Sequence, residues 1–204
     1  MNTRRMILTG MAGLAAAASL GLPAFAEGDD FAEGTYAIGP ADAPVTVYEY
    51  ASMTCPHCAH FTLTTLPDVK KLYVETGKIR FVFRDFPLDI VALQASMLVR
   101  CAGPEKAEAM VELLFRTQQS WGRAEDPMAA LKQTVKLAGL GEAKADACLA
   151  DETLKMQVAQ TRFDAEKQFA IRSTPSFVIG TKVQAGALSI DEFTEFLKAN
   201  GLKD

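Results

Sequence analysis

The sequence predicts an α/β domain interrupted by an all-helical insertion, and three observations carry that prediction. First, the β-branched and aromatic run Val45-Thr46-Val47-Tyr48-Glu49-Tyr50 is joined through a helical stretch to a second such run at 78–84. Strand, helix, strand makes a βαβ unit with parallel strands. Second, residues 89–169 read as helical throughout. Third, strand signal returns at Ser176-Phe177-Val178-Ile179, and a turn, a hairpin partner and a capped helix follow.

The first 26 residues read as a secretory signal peptide. Arg4 and Arg5 form a positive start, Met6 to Leu22 is apolar, and Pro23 precedes the small-x-small site Ala24-Phe25-Ala26. Cleavage is expected after Ala26. A retained membrane anchor is the competing reading, since the run is just long enough to span a bilayer. Arg4-Arg5 also fits a twin-arginine signal, so the export route stays open. The formal charge of the whole chain is −4, and losing both arginines makes it more negative by two. A mildly acidic chain is a poor match for nucleic acid, which selects basic surfaces. The lead-in after residue 27 is too short for an oligomerising stalk, which favours a monomer.

Residues 35–38 suggest an edge strand. Beyond the 45–50 strand, apolar residues at Phe61, Leu63, Leu66, Val69, Leu72 and Tyr73 fit one helix face. Pro67 falls inside it and predicts a kink or restart, and Gly77 a stop. Within the insertion, Gly103-Pro104, Asp126-Pro127 and Gly139-Leu140-Gly141 divide helices at about 89–102, 105–119, 127–138, 142–150 and 152–169. Residues 182–185 pair with the returning strand. Ser189 and Glu192 predict a capping box on the last helix. The division is therefore 27–88 with 170–204 as a discontinuous α/β domain, and 89–169 as the insertion.

The four cysteines are Cys55, Cys58, Cys101 and Cys148. In an oxidising compartment an even number permits two disulfides. Cys55 and Cys58 pair locally, which leaves Cys101 with Cys148, both in predicted helices, as a structural staple or a second redox centre. Neither shows an activating motif.

Cys55-Pro56-His57-Cys58 sits where a strand gives way to a helix, at the carboxyl end of the first strand, where open α/β sheets place their sites. A helix N-terminus offers unpaired N–H groups and partial positive charge, so a thiolate there is stabilised. Cys55 is expected to be the exposed, attacking sulfur and Cys58 the buried partner. A haem site would need His at position 59, which is Ala59. A structural zinc needs four ligands, and Cys55, Cys58 and His60 supply three, so no metal or cofactor is expected. His57 either supports the Cys55 thiolate as imidazolium or donor, or is an exposed spacer. Glu49 either turns to solvent by strand alternation or lies buried beneath the motif, where it can exchange a proton with Cys58. Pro175 in Ser173-Thr174-Pro175-Ser176 is either an ordinary edge proline or a cis-proline beside the cysteines, with the Thr174 backbone open to an extended substrate. Trp121 reads as core.

The sequence resembles the bacterial DsbA family of disulfide oxidoreductases. The resemblance runs through Pro44 to Tyr50, Cys55-Pro56-His57-Cys58, Arg84-Asp85-Phe86-Pro87-Leu88 and Ser173-Thr174-Pro175-Ser176-Phe177. It implies a thioredoxin fold with an inserted helical domain and a periplasmic dithiol oxidase that donates disulfides to unfolded exported proteins. It also implies a buried acid at Glu49, substrate pairing at Thr174-Pro175, and reoxidation by a quinone-linked membrane partner of the DsbB type. Many oxidases of the family have Val where this chain has Thr174, and Thr there is also familiar in isomerases and reductases, the alternative activity. A non-catalytic peptide-binding chaperone is a further alternative. The Cys101/Cys148 pair resembles a subgroup with an extra bridge in the helical domain.

Overall fold

The computed structural model describes residues 34–203. The expected signal peptide and its expected cleavage site after Ala26 lie outside the described residues. Five strands form one sheet in the order β1-β3-β2-β4-β5. They are β1 (Tyr36–Ile38), β2 (Val45–Ala51), β3 (Ile79–Asp85), β4 (Ser176–Ile179) and β5 (Lys182–Ala185). β2 and β3 are parallel, with Glu49 opposite Phe83, and β1, β4 and β5 join antiparallel. Both faces of β2 are covered. Val45 and Val47 join Phe61, Phe177 and Phe193 on one side, while Tyr50 joins Phe86, Ala165 and Val178 on the other.

The helix after Cys55 is broken more often than its periodicity predicts. α1 (Pro56–His60) passes into a π-helical turn over Phe61–Thr65, then α2 (Leu66–Val69) and a second π-helical turn over Lys70–Val74. Leu66 N–H reaches back five residues to Phe61 O. Pro67 lacks an N–H, so the chain widens before it, and the proline falls in the first turn of α2, where the missing donor costs little. Phe61 anchors this segment: it is fully buried and 4.6 Å from the Phe177 ring. Burial of such a side chain contributes about 1.5–3 kcal/mol.

Between β3 and β4 run α3 (Ile90–Ala102), α4 (Pro104–Arg116), α5 (Gln118–Gly122), α6 (Pro127–Leu137), α7 (Glu142–Leu149) and α8 (Glu152–Phe169). α9 (Ile190–Ala199) closes the chain. Asp89, Asp126 and Asp151 cap α3, α6 and α8 with their carboxylates. Ser189 and Glu192 form the expected capping box on α9. One expectation fails: the single helix at 105–119 is two. Thr117 leaves helical geometry (φ −102°, ψ 9°), and its hydroxyl takes up Leu113 O at 2.8 Å. The break turns α5 inward, which buries Trp121 completely and brings Gln118 to the cysteine motif.

Cys101 on α3 and Cys148 on α7 form a disulfide, Cα–Cα 6.3 Å, across 47 residues of sequence. Closing a loop of that size restricts the unfolded chain, and the double replacement Cys101→Ala/Cys148→Ala is expected to lose about 2–4 kcal/mol. Denaturant midpoints measure this. An unchanged midpoint would remove the staple role.

Candidate active site

Cys55 is the N-cap of α1, with extended backbone (φ −81°, ψ 119°) and Pro56 in the first turn. Its N–H donates to Ser52 O at 3.0 Å, and Ala59 N–H donates to Cys55 O at 3.2 Å. The chain thus enters the helix through a tight turn off β2, which leaves the first N–H groups of α1 for the sulfur. Both thiols are free. Cys58 is fully buried, while Cys55 retains 7% exposure. Access falls in the expected order, but Cys55 is less open than its position predicted. The Thr174 loop packs against it, and Cys55 Sγ donates to Thr174 O at 3.3 Å.

The Thr174–Pro175 bond is cis. Thr174 Oγ1 is buried without a hydrogen-bond partner in this dithiol state, which leaves it free to donate to a thiolate. Together these groups hold the Cys55 thiol down to about 5. The Cys58 side chain contributes most; burial opposes it; Thr174 and the backbone N–H groups of Cys58 and His57 add to the lowering. Burial pushes the Cys58 thiol up, and the Cys55 and Glu49 side chains push it further.

Glu49 lies inside. It has no exposure, and neither carboxylate oxygen has a hydrogen-bond partner. Its cross-strand neighbours are Phe83 and Phe177. Burial raises its pKa well above the usual carboxylate range, and a Cys55 thiolate raises it further. His57 has an exposed side chain, and its backbone N–H reaches Cys55. His60 is also exposed and bonds to Thr64 rather than to sulfur.

Sequence reasoning missed two further contacts. Gln118 Nε2 donates to Met53 O and Cys55 O, and Thr54 Oγ1 donates to Asp89 Oδ2 at 2.6 Å. Nothing in the sequence around Gln118 marked it for this site. A shallow cavity of about 180 Å³ beside Pro56 is lined by Thr54, Gln118, Gln119, Gly122 and Arg123. A second cavity, about 320 Å³, lies behind α2 around Tyr36, Lys70 and Glu108 and holds none of the thiol chemistry.

The depressed Cys55 thiol has a testable linkage. A group lowered on folding stabilises fully above its unfolded value, ordinarily near 9, and that contribution is lost as pH falls through the folded value near 5. The reduced protein should therefore gain melting temperature relative to the oxidised protein as pH rises from 5 to 8. The comparison cancels every group that feels neither thiol. A flat difference would contradict the low value.

The thioredoxin family model matches residues 32–199. A Rickettsia conorii protein named as a candidate protein-disulfide oxidoreductase is 34% identical over 156 residues, covering 76% of this chain and 56% of the relative. This chain thus spans little more than half the length of the Rickettsia relatives it matches. Disulfide bond formation protein D of Bacillus subtilis is 26% identical over 183 residues, covering 81% of this chain and 77% of that protein. The crystal structure of Wolbachia pipientis α-DsbA1 superposes with a TM-score of 0.73 at 26% identity, covering 80% of this chain and 89% of that one. The matched span takes in the buried acid, the cysteine motif, the helical insertion and the cis-proline loop, and the chain belongs to the thioredoxin family, as a protein of the DsbA type.

Proposed function

We propose that the protein is a periplasmic thiol:disulfide oxidoreductase that passes its Cys55–Cys58 disulfide to exported proteins still folding. One observation carries the reading: Cys55 caps a helix with its thiol held down to about 5, while Cys58 behind it is buried and pushed up. Such a pair differs sharply in how readily each sulfur leaves.

A substrate thiolate attacks Cys55 Sγ. The Cys55–Cys58 bond breaks, a substrate–Cys55 disulfide forms, and the Cys58 sulfur takes a proton from the protonated Glu49 carboxyl. A second substrate thiolate then attacks the substrate sulfur and expels Cys55 as a stabilised thiolate. The substrate is oxidised by two electrons and the enzyme holds a dithiol. Thr174 O and the cis-Pro175 loop give an extended substrate a backbone edge beside Cys55. His57 assists through its N–H. Reoxidation falls to a quinone-linked membrane partner of the DsbB type. Export rests on the N-terminal sequence, with cleavage after Ala26.

Cys58→Ser, expressed with its leader, should accumulate mixed disulfides through Cys55, visible as reductant-sensitive bands on gels, and the native protein should rest oxidised. A resting dithiol would favour the isomerase or reductase direction. Full cellular function in Cys55→Ser would favour a chaperone that does no thiol chemistry.

A further inference from the structure

Gln118 opens α5, in the helical insertion, and its side chain runs into the base of the Cys55 turn with 6% exposure. Its Nε2 donates 2.8 Å to Met53 O and 3.0 Å to Cys55 O, across 65 and 63 residues of sequence. Both acceptors are carbonyls, so both N–H bonds of the amide are committed to the turn. Trp121, three residues on, seats α5 in the core, with Nε1 donating to Leu114 O at 2.8 Å.

We propose that Gln118 is a positioning residue for Cys55: by pinning the Met53 and Cys55 carbonyls it holds the first turn of α1 so that the His57 and Cys58 N–H groups stay aimed at Sγ. This rests on the dithiol–disulfide reading above. Cys55 O already accepts the Ala59 N–H, the first bond of α1. With Gln118 as a second donor, that carbonyl is fixed and its negative end is partly neutralised close to the sulfur. Without Gln118, two buried carbonyls each lose a partner, and the Met53–Thr54 and Cys55–Pro56 peptide planes are fixed less firmly. The second tie, Thr54 to Asp89, holds the turn by a side chain and leaves those planes unconstrained.

Gln118 carries no charge of its own. The ionisable groups around Cys55 are Cys58 and His57 on α1 and Glu49 on β2. The β4 loop offers the Thr174 carbonyl and hydroxyl. Asp89 on α3 acts through Thr54, and Arg123 lines the cavity on the α5 side. A change in Cys55 ionisation on removing Gln118 therefore reports turn geometry, not a lost charge.

The test uses the full chain. Gln118→Leu keeps the bulk and removes both donors; Gln118→Glu, ionised, offers acceptors to two acceptors. Thiolate absorbance should place the Cys55 titration about half a unit to one unit higher in Gln118→Leu, and higher again in Gln118→Glu. The equilibrium with glutathione should shift roughly three- to tenfold toward the disulfide form. Trp121→Phe loosens α5 without removing either bond, and should lower the melting temperature while leaving the titration in place. An unmoved titration in Gln118→Leu, or an equal shift in Trp121→Phe, overturns the proposal. Failure of the native protein to exchange disulfides with glutathione would instead refute the function reading, and the Cys55 titration would still decide the role of Gln118.

Discussion

Arg100→Met is expected to cost about 3–5 kcal/mol of folding stability. Arg100 Nε lies 2.8 Å from Asp85 Oδ2, with side-chain exposures of 2% and 1%. Thr35 Oγ1 donates to the same oxygen at 2.6 Å, and Thr161 Oγ1 donates to Asp85 O. Asp85 ends β3 and Arg100 belongs to α3, so this cluster joins the sheet to the insertion, with β1's approach and α8 tied in. Removing the guanidinium leaves a carboxylate in a dry interior with one hydroxyl to answer it. That penalty, more than any attraction of the pair itself, sets the size of the effect. The double variant Asp85→Leu/Arg100→Met removes both charges and should recover most of the loss. Denaturant unfolding at neutral pH decides it. A single variant costing under about 1 kcal/mol, the range of an exposed pair, would contradict the buried geometry.

Glu49→Leu is expected to act in opposite directions on stability and on turnover. The carboxyl is fully buried without a hydrogen-bond partner, so an apolar replacement of similar size should stabilise by about 1–4 kcal/mol. The pH sign follows from its raised pKa. Above the ordinary value near 4.5, the unfolded chain ionises while the folded one resists, and native stability falls until the folded value is passed. The stability gain of Glu49→Leu should therefore grow as pH rises above about 4.5. Disulfide exchange should slow by about 10²–10⁴-fold, the usual contribution of a positioned acid or base. The step affected is the departure of Cys58, whose thiolate is unfavourable in its buried site. Stopped-flow reduction of the Cys55–Cys58 disulfide separates the two effects. Faster or unchanged exchange in a stabilised variant would remove Glu49 from the proton path.

Legibility in the sequence tracked how local each cause is. The cysteine motif, the capping box at Ser189 and the strand runs are written in adjacent residues, and the structure places them where the spacing does. Glu49 was ambiguous because alternation along β2 cannot say whether one face or both are covered. The fold covers both. His57 was legible as a residue between the cysteines, but its direction depends on how the first turn of α1 faces solvent. The break at Thr117 hid within a helical periodicity, since a hydroxyl that takes a carbonyl four residues back leaves no compositional mark. Gln118 and Arg100 were invisible for a different reason: their partners lie 63 and 15 residues away, and nothing in either neighbourhood marks a polar side chain as buried.

A helix-capping, N–H-solvated Cys55 thiolate should make the Cys55–Cys58 disulfide a ready donor. The most direct test is the reduction potential of that couple in equilibrium with glutathione at pH 7. A value more positive than about −200 mV is expected, with the dithiol favoured at modest glutathione concentrations. A potential near the roughly −270 mV of a thioredoxin-type reductant would contradict it.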